Sequence, residues 1–174
     1  LPAMEGKAVI CKTFGGIDAL PMCLRVTSDH QLIQAVMMLA PTFGAFCLED
    51  IVSPRCFSLE DHLQRAVNVP IFHNHAHGAG VMVLAGLLNA LPLVGKRLED
   101  ARIVISGAGP AGVGVARLLL AAGARNLIVC DKAGAIHKYR PTNMNWVKAE
   151  IARQTNAGDV SGSLADVLKG ADVL

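Results

Sequence analysis

Aromatic side chains are scarce: one Trp, one Tyr and five Phe, 4% of 174 residues. The core must therefore be aliphatic, built from Ala, Val, Leu and Ile. Charge is also sparse at 17%, against 52% hydrophobic residues, which excludes a disordered chain. Neither sign dominates, with 16 basic and 14 acidic residues and a net charge of +2, so no basic footprint for nucleic acid emerges. Cysteine is present in an odd number, five (Cys11, Cys23, Cys47, Cys56, Cys130), with no C-x-x-C pair. That argues against a disulfide framework or a Cys-rich zinc site and points to a reducing cytoplasm. A charged n-region followed by an apolar stretch is missing at the start, so no secretory signal is expected, and the lack of Met at position 1 suggests a processed chain or a fragment.

What is present is an alternation of short apolar runs and amphipathic segments, punctuated by seventeen Gly and eight Pro. Strands are expected at Leu20–Val26, Ala45–Leu48, Val69–His73, Ala101–Ser106 and Leu127–Asp131, with another beginning at Ala171. Helices are expected over Gln31–Leu39 capped by Asp29, Leu59–Val67 opened by Ser58, Ala79–Ala90, Val113–Ala122, Asn145–Arg153, and Leu164–Lys169 capped by Ser163. Gly134–Thr142 reads as a loop. The uncharged stretch Gly78–Gly95 is at the low edge of a membrane-spanning length, but it contains Asn89, Pro92 and four Gly and reads as a buried helix. Alternating β and α segments predict an α/β fold with parallel sheets. A chain this size hides roughly 70% of its unfolded surface, as one domain or two small ones.

The strongest chemical signal is Gly107-Ala108-Gly109-Pro110-Ala111-Gly112, between an expected strand and an expected helix. Gly107 permits the tight turn, Gly109 lets backbone approach a pyrophosphate, and Gly112 allows close packing of helix on strand. The helix N-terminus offers unpaired N–H groups to phosphate. Asp131 ends the next strand, where a carboxylate binds a ribose hydroxyl and repels a 2′-phosphate; the adjacent Lys132 partly offsets that repulsion. Strand, turn, helix, strand and terminal acid together indicate dinucleotide binding. Glu49 and Asp50 follow an expected strand and offer oxygen ligands to a divalent cation, although an adjacent carboxylate pair is more often a solvated turn. His73, His75 and His77 alternate in H-N-H-A-H and could share one face as a zinc or iron site, or bond backbone and water. Lys7 precedes an apolar run, and a buried lysine can act as a base.

Taken together, the blocks MEGKAVICKTFGGIDALP, LAPTFGAFCLEDIVSPRCF, VPIFHNHAHG, LAGLLNAL, LEDARIVISGAGPAGVGVARLLLAAGARNLIVCDKAGAI and NMNWVKAEIARQTN resemble a malic enzyme of the bacterial type over nearly the whole chain. The resemblance implies a parallel sheet segment of a substrate and metal domain in residues 1–73, followed by a partial Rossmann-type NAD-binding domain in residues 74–174. It implies oxidative decarboxylation of malate to pyruvate and CO₂, with NAD or NADP and with Mg²⁺ or Mn²⁺. Lys7 matches the family's catalytic lysine. Glu49 and Asp50 match two of three carboxylate ligands, and Gly107, Gly109, Gly112 and Asp131 match the cofactor fingerprint. NAD is the expected nucleotide, with NADP as the alternative. A homodimer or larger assembly is implied, with malate and pyruvate as partners and neither nucleic acid nor membrane.

Three departures accompany the resemblance. Where the family reads F-H-D-D-Q-H-G-T, residues 72–79 carry Asn74 and His75, so His75 falls on the third metal position. The family's catalytic tyrosine lies upstream of residue 1, and Tyr139 does not match it. The substrate-binding asparagines lie beyond Leu174. The resemblance is thus to a central fragment with a metal site that is either damaged or rebuilt around His75. Two other readings stay open at this point: a non-catalytic dinucleotide-binding or regulatory module derived from malic enzyme, and a zinc hydrolase using His73, His75 and His77.

Overall fold

A computed structural model describes residues 1–174 as an α/β protein with two small sheets. In the first, β1 (Phe46–Leu48) and β2 (Ile71–His73) run parallel, with Phe46 opposite Ile71 and Leu48 opposite His73. Between them, α3 (Arg55–Ala66) crosses over and buries Leu59 and Leu63 against Leu48, Ile71 and Val36 of α2 (Asp29–Leu39). Each fully buried leucine contributes roughly 1.5–3 kcal/mol of transfer free energy.

Local chemistry moves several boundaries from where the sequence placed them. The cap of α2 is Ser28, whose Oγ accepts from the Gln31 N–H, so Asp29 is already inside the helix. Helix α3 begins at Arg55, and the Ser58 hydroxyl donates to the Arg55 carbonyl inside it rather than opening it. The apolar run that follows Lys7 lies within α1 (Pro2–Gly15), a helix that buries none of its residues. The expected strand at Leu20–Val26 does not form. Pro21 removes one N–H, and the segment, exposed apart from half-buried Pro21, Met22 and Val26, has no strand beside it to pair with.

The second sheet has β3 (Arg102–Ser106) parallel to β4 (Asn126–Asp131), with Arg102 opposite Asn126 and Ser106 opposite Cys130. The two-residue strand β5 (Gly134–Ala135) adds antiparallel to β4, within the stretch expected to be a loop. Val173 makes a single parallel bridge to Ile103, all that forms of the strand expected at the end. Helix α5 (Pro110–Ala121) connects β3 to β4 and buries Val113, Ala116 and Leu119; α6 (Trp146–Gln154) adds Val147 and Ile151 to the same core. That core also takes in Cys56 and Phe57 of α3 and Leu87 and Leu91 of α4 (Ala79–Leu93). The last helix, α7 (Leu164–Val167), is closed by a reciprocal capping box between Ser163 and Asp166.

Helix α4 is not the buried helix expected from its composition. A five-residue π turn (Asn74–Gly78) leads into it, and the combined 20-residue stretch is long and apolar enough to cross a membrane by length and composition. Only one side packs, through Gly80, Leu87 and Leu91, while Val81, Met82 and Leu88 are exposed. Small residues set the contact with α5. A Cβ on Gly80 would lie 3.2 Å from the Gly114 carbonyl oxygen, and one on Gly114 would lie 2.3 Å from that of Ala76. Gly114 therefore seats α5 directly against the π turn.

Candidate active site

The glycine-rich turn follows β3 directly. Gly107 has φ +125°, in the region that favours glycine, and its N–H donates to the Cys130 carbonyl at 2.8 Å. A Cβ on Gly112 would lie 1.8 Å from the Gly107 carbonyl oxygen, so helix and turn are in contact and exclude any side chain there. Gly109 has nothing within 4 Å of a notional Cβ, which leaves backbone open to a ligand. Ala108 is partly buried against the core, Pro110 opens α5 where its missing N–H removes no helical bond, and Ala111 is exposed. The first turn of α5 thus points unpaired N–H groups towards open space.

Beside the turn lies a cavity of about 570 Å³ lined by Ser106, Gly107, Asp131, Lys132, Gly134 and Ser163, among others. Asp131 is at its edge as expected, but its carboxylate is already engaged. Oδ1 accepts from the Ala133 N–H and Oδ2 from Lys148 Nζ at 2.6 Å, while Arg140 Nη2 reaches both oxygens at 2.8 Å. The Asp131 and Arg140 side chains are 9% and 6% exposed. Burial pulls the Asp131 pKa upward, but the hydrogen bonds from Arg140, Lys148 and Ala133 outweigh it and hold the pKa at about 2. Lys132 is exposed on the same cavity. Sequence reading missed Arg140 and Lys148. Arg140 stands in a stretch read as a loop and Lys148 within an expected helix, and only folding brings them to one carboxylate.

The second constellation gathers three distant segments. Lys7 reaches from α1 and donates through Nζ to Glu49 Oε2, and Cys47 Sγ donates to Glu49 Oε1 at 3.8 Å. Burial pushes the Cys47 thiol up, reinforced by the charge of Glu49. Asp50 is exposed and holds φ 53°, a left-handed conformation uncommon outside glycine. His75, on the π turn, brings Nε2 to 3.6 Å from Glu49 Oε2 and 3.7 Å from Asp50 Oδ1. Donor atoms of Glu49, Asp50 and His75 all lie within 4.8 Å of one another.

The three histidines do not form one site. His77 Nε2 lies 2.5 Å from Glu60 Oε1, while His75 turns to the carboxylates. His73 is 1% exposed, with both ring nitrogens unpartnered, and burial lowers its pKa against the pull of Glu60. Tyr139 is largely exposed and belongs to neither constellation.

Parallel strands joined by a glycine-rich turn and helix, with an acid at the end of the second strand, define a dinucleotide-binding domain. Residues 76–171 match the family described as "Malic enzyme, NAD binding domain". The chain is 48% identical over 173 residues to an NAD-dependent malic enzyme of Geobacillus stearothermophilus, covering 99% of this chain and 36% of that protein. It is 45% identical to a bifunctional malic/malolactic enzyme of Bacillus subtilis, covering 99% of this chain and 42% of that protein. The solved structure of an NAD-dependent malic enzyme from Thermotoga maritima superposes with TM-score 0.93 at 40% identity, covering 99% of this chain and 46% of that one. The chain belongs to the malic enzyme family and carries its NAD(P)-binding domain. It spans about two fifths of the length of these relatives.

Proposed function

We propose that this chain is part of a malic enzyme that oxidises and decarboxylates malate to pyruvate and CO₂ with NAD or NADP and a divalent cation. The observation that carries this reading is the convergence of Lys7, Glu49, Asp50 and His75 from α1, the end of β1 and the π turn. Names of relatives support it, since they include NAD-dependent and NADP-dependent malic enzymes, the latter in Escherichia coli at 40% identity.

In this reading, Lys7 reaches the site from a helix free of the core and, as the neutral amine, accepts the hydroxyl proton of malate at Nζ to become the ammonium. Glu49 orients that ammonium through its Oε2. Glu49, Asp50 and His75 would hold the cation, which when bound supplies Lewis-acid polarisation of the substrate oxygens. The mixed oxygen and nitrogen donor set fits a divalent ion. Residues 107–112 would hold the pyrophosphate against the start of α5, with Asp131 and Lys132 at the ribose, and the nucleotide supplies the hydride acceptor.

The proposal extends to organisation. Residues 1–73 would form the substrate and metal part and residues 74–174 the nucleotide part. A homodimer or larger assembly is proposed, supported by exposed Val9, Ile10 and Phe14 on α1 and Val81, Met82 and Leu88 on α4. A cytoplasmic location is proposed on the five free cysteines.

The test is an assay of the whole protein with malate, either nucleotide, and Mg²⁺, Mn²⁺ or Co²⁺ in turn, reading both pyruvate and reduced nucleotide. Stoichiometric formation of the two supports the reading. Nucleotide binding without pyruvate under every cation would favour a non-catalytic nucleotide-binding module, a reading that the imidazole at the third donor position also favours.

A further inference from the structure

The donor chemistry of the Glu49–Asp50–His75 cluster says more than that a cation binds. One of its three donors is an imidazole nitrogen, and that nitrogen lies between two carboxylates at 3.6 and 3.7 Å. Two ligands on bonds of about 2.1 Å stand roughly 3.4 Å apart at a tetrahedral angle and about 3.0 Å apart at an octahedral edge. Both separations exceed either spacing, so the donors must close in on any ion they bind. Mg²⁺ takes oxygen donors in near-ideal octahedral geometry and keeps several waters, so a nitrogen in a wide cluster offers it little. Later first-row ions gain from imidazole and tolerate lower coordination.

Charge points the same way. Lys7 already neutralises Glu49, so the cluster presents less negative charge than its two carboxylates suggest. A hard ion held mainly by charge loses from that, whereas an ion that forms a stronger bond to nitrogen loses less. Behind His75 lies the buried ring of His73, its centroid 6.0 Å from that of His75 and both its nitrogens unpartnered.

We propose that this cluster selects a transition cation of the Co²⁺ or Zn²⁺ kind over Mg²⁺, with His75 Nε2 as a direct ligand. The inference rests on the reading that Glu49, Asp50 and His75 form the cation site of the malic enzyme. It assigns the discrimination among cations to a single imidazole.

The experiment titrates Co²⁺ and Mg²⁺ into the metal-stripped whole protein by calorimetry, and records the pulsed EPR spectrum of bound Mn²⁺ for nitrogen coupling. Co²⁺ is expected to bind at least a hundredfold more tightly than Mg²⁺, and Mn²⁺ to show one coupled imidazole nitrogen. His75→Asp should lower the Co²⁺-to-Mg²⁺ affinity ratio at least tenfold and remove the nitrogen coupling. His75 is half exposed on a surface turn, and circular dichroism of the variant confirms that the fold is kept. An unchanged ratio in His75→Asp, or no nitrogen coupling in the parent protein, overturns the inference while leaving the cation site in place. Failure of every cation to bind overturns the inference and the metal-dependent reading together.

Discussion

Arg140 reaches both carboxylate oxygens of Asp131 through a single guanidinium nitrogen, at 2.8 Å each. The same arginine donates through Nε to the Thr142 carbonyl at 3.1 Å, so it ties the end of β4 to the loop that precedes α6. An unfolded aspartate titrates at about 3.9. In the folded chain the Asp131 pKa is about 2, because bonds from Arg140, Lys148 and the Ala133 N–H outweigh the upward pull of burial. As pH falls below about 4, the unfolded chain binds this proton first. The stability that the ion pair contributes, about 2 kcal/mol, is fully present above that pH and is lost as pH falls through about 2. Asp131→Asn should therefore be less stable than the parent at pH 7, and the gap should close towards pH 2. Denaturant unfolding across that range checks it, and a gap independent of pH would refute the assignment.

The same ion cluster alters the expectation for the nucleotide. A preference for NAD follows from a bare negative charge beside the ribose. Here Arg140 and Lys148 together over-neutralise Asp131, and Lys132 lines the same cavity. A 2′-phosphate meets a net positive cluster rather than a repelling acid. Affinities for NAD and NADP are expected to agree within tenfold. Lys148→Met should weaken 2′,5′-ADP several-fold while leaving 5′-AMP nearly unchanged, as read by calorimetry. Tighter binding of 2′,5′-ADP to the variant than to the parent would contradict this charge argument.

The turn at Gly107–Gly112 and the strands around it were legible because their signal is local. Apolar runs, glycines at fixed spacing and a terminal acid lie within one short segment, and β3, α5 and β4 follow from it with boundaries shifted by one to three residues. Glu49–Asp50 and His75 each stood out locally as candidate ligands, but their union in one cluster was legible only through resemblance, since nothing local in the sequence says that the π turn returns to the end of β1. Arg140 and Lys148 were not legible at all. The Leu20–Val26 segment misled for the opposite reason: its apolar character suits a strand, but a strand needs a partner, and none lies alongside it. The composition of α4 likewise could not reveal that only one of its sides is packed.

Two glycines on or beside α5 should respond oppositely to substitution. At Gly114 a methyl group would be driven 2.3 Å from the Ala76 carbonyl oxygen, a contact that only movement of helix or π turn can relieve. Gly114→Ala is expected to cost about 1–3 kcal/mol, in the range of overpacking, and to displace the turn that carries His75. Gly109→Ala meets nothing within 4 Å, so its unfolding midpoint should stay near the parent value. That methyl group would, however, stand where backbone is open to pyrophosphate, and nucleotide affinity should fall at least tenfold. Thermal melts together with nucleotide titration separate the two effects. Equal loss of stability in both variants would show that the glycine turn serves packing alone.

Lys7 gives the most direct test of the proposed chemistry, because its helix contributes so little to the core. Helix α1 buries none of its residues, and the Lys7 side chain is 43% exposed beside Glu49. The lysine end of the pair is half exposed and screened while the Glu49 end is 9% exposed, so the pair contributes about 1–2 kcal/mol. Lys7→Ala should leave the melting temperature within a few degrees of the parent. Nucleotide affinity should also be unchanged, since the glycine turn lies on other elements. Malate turnover should nevertheless fall at least a hundredfold, the low end of what a positioned general base supplies. Lys7→Arg should not restore it, because guanidinium keeps its proton at any working pH. Measured on the whole protein, a variant that melts normally, binds nucleotide normally and produces no pyruvate supports proton transfer at Nζ. Retention of full turnover by Lys7→Ala would show instead that Lys7 serves only as the counter-ion of Glu49.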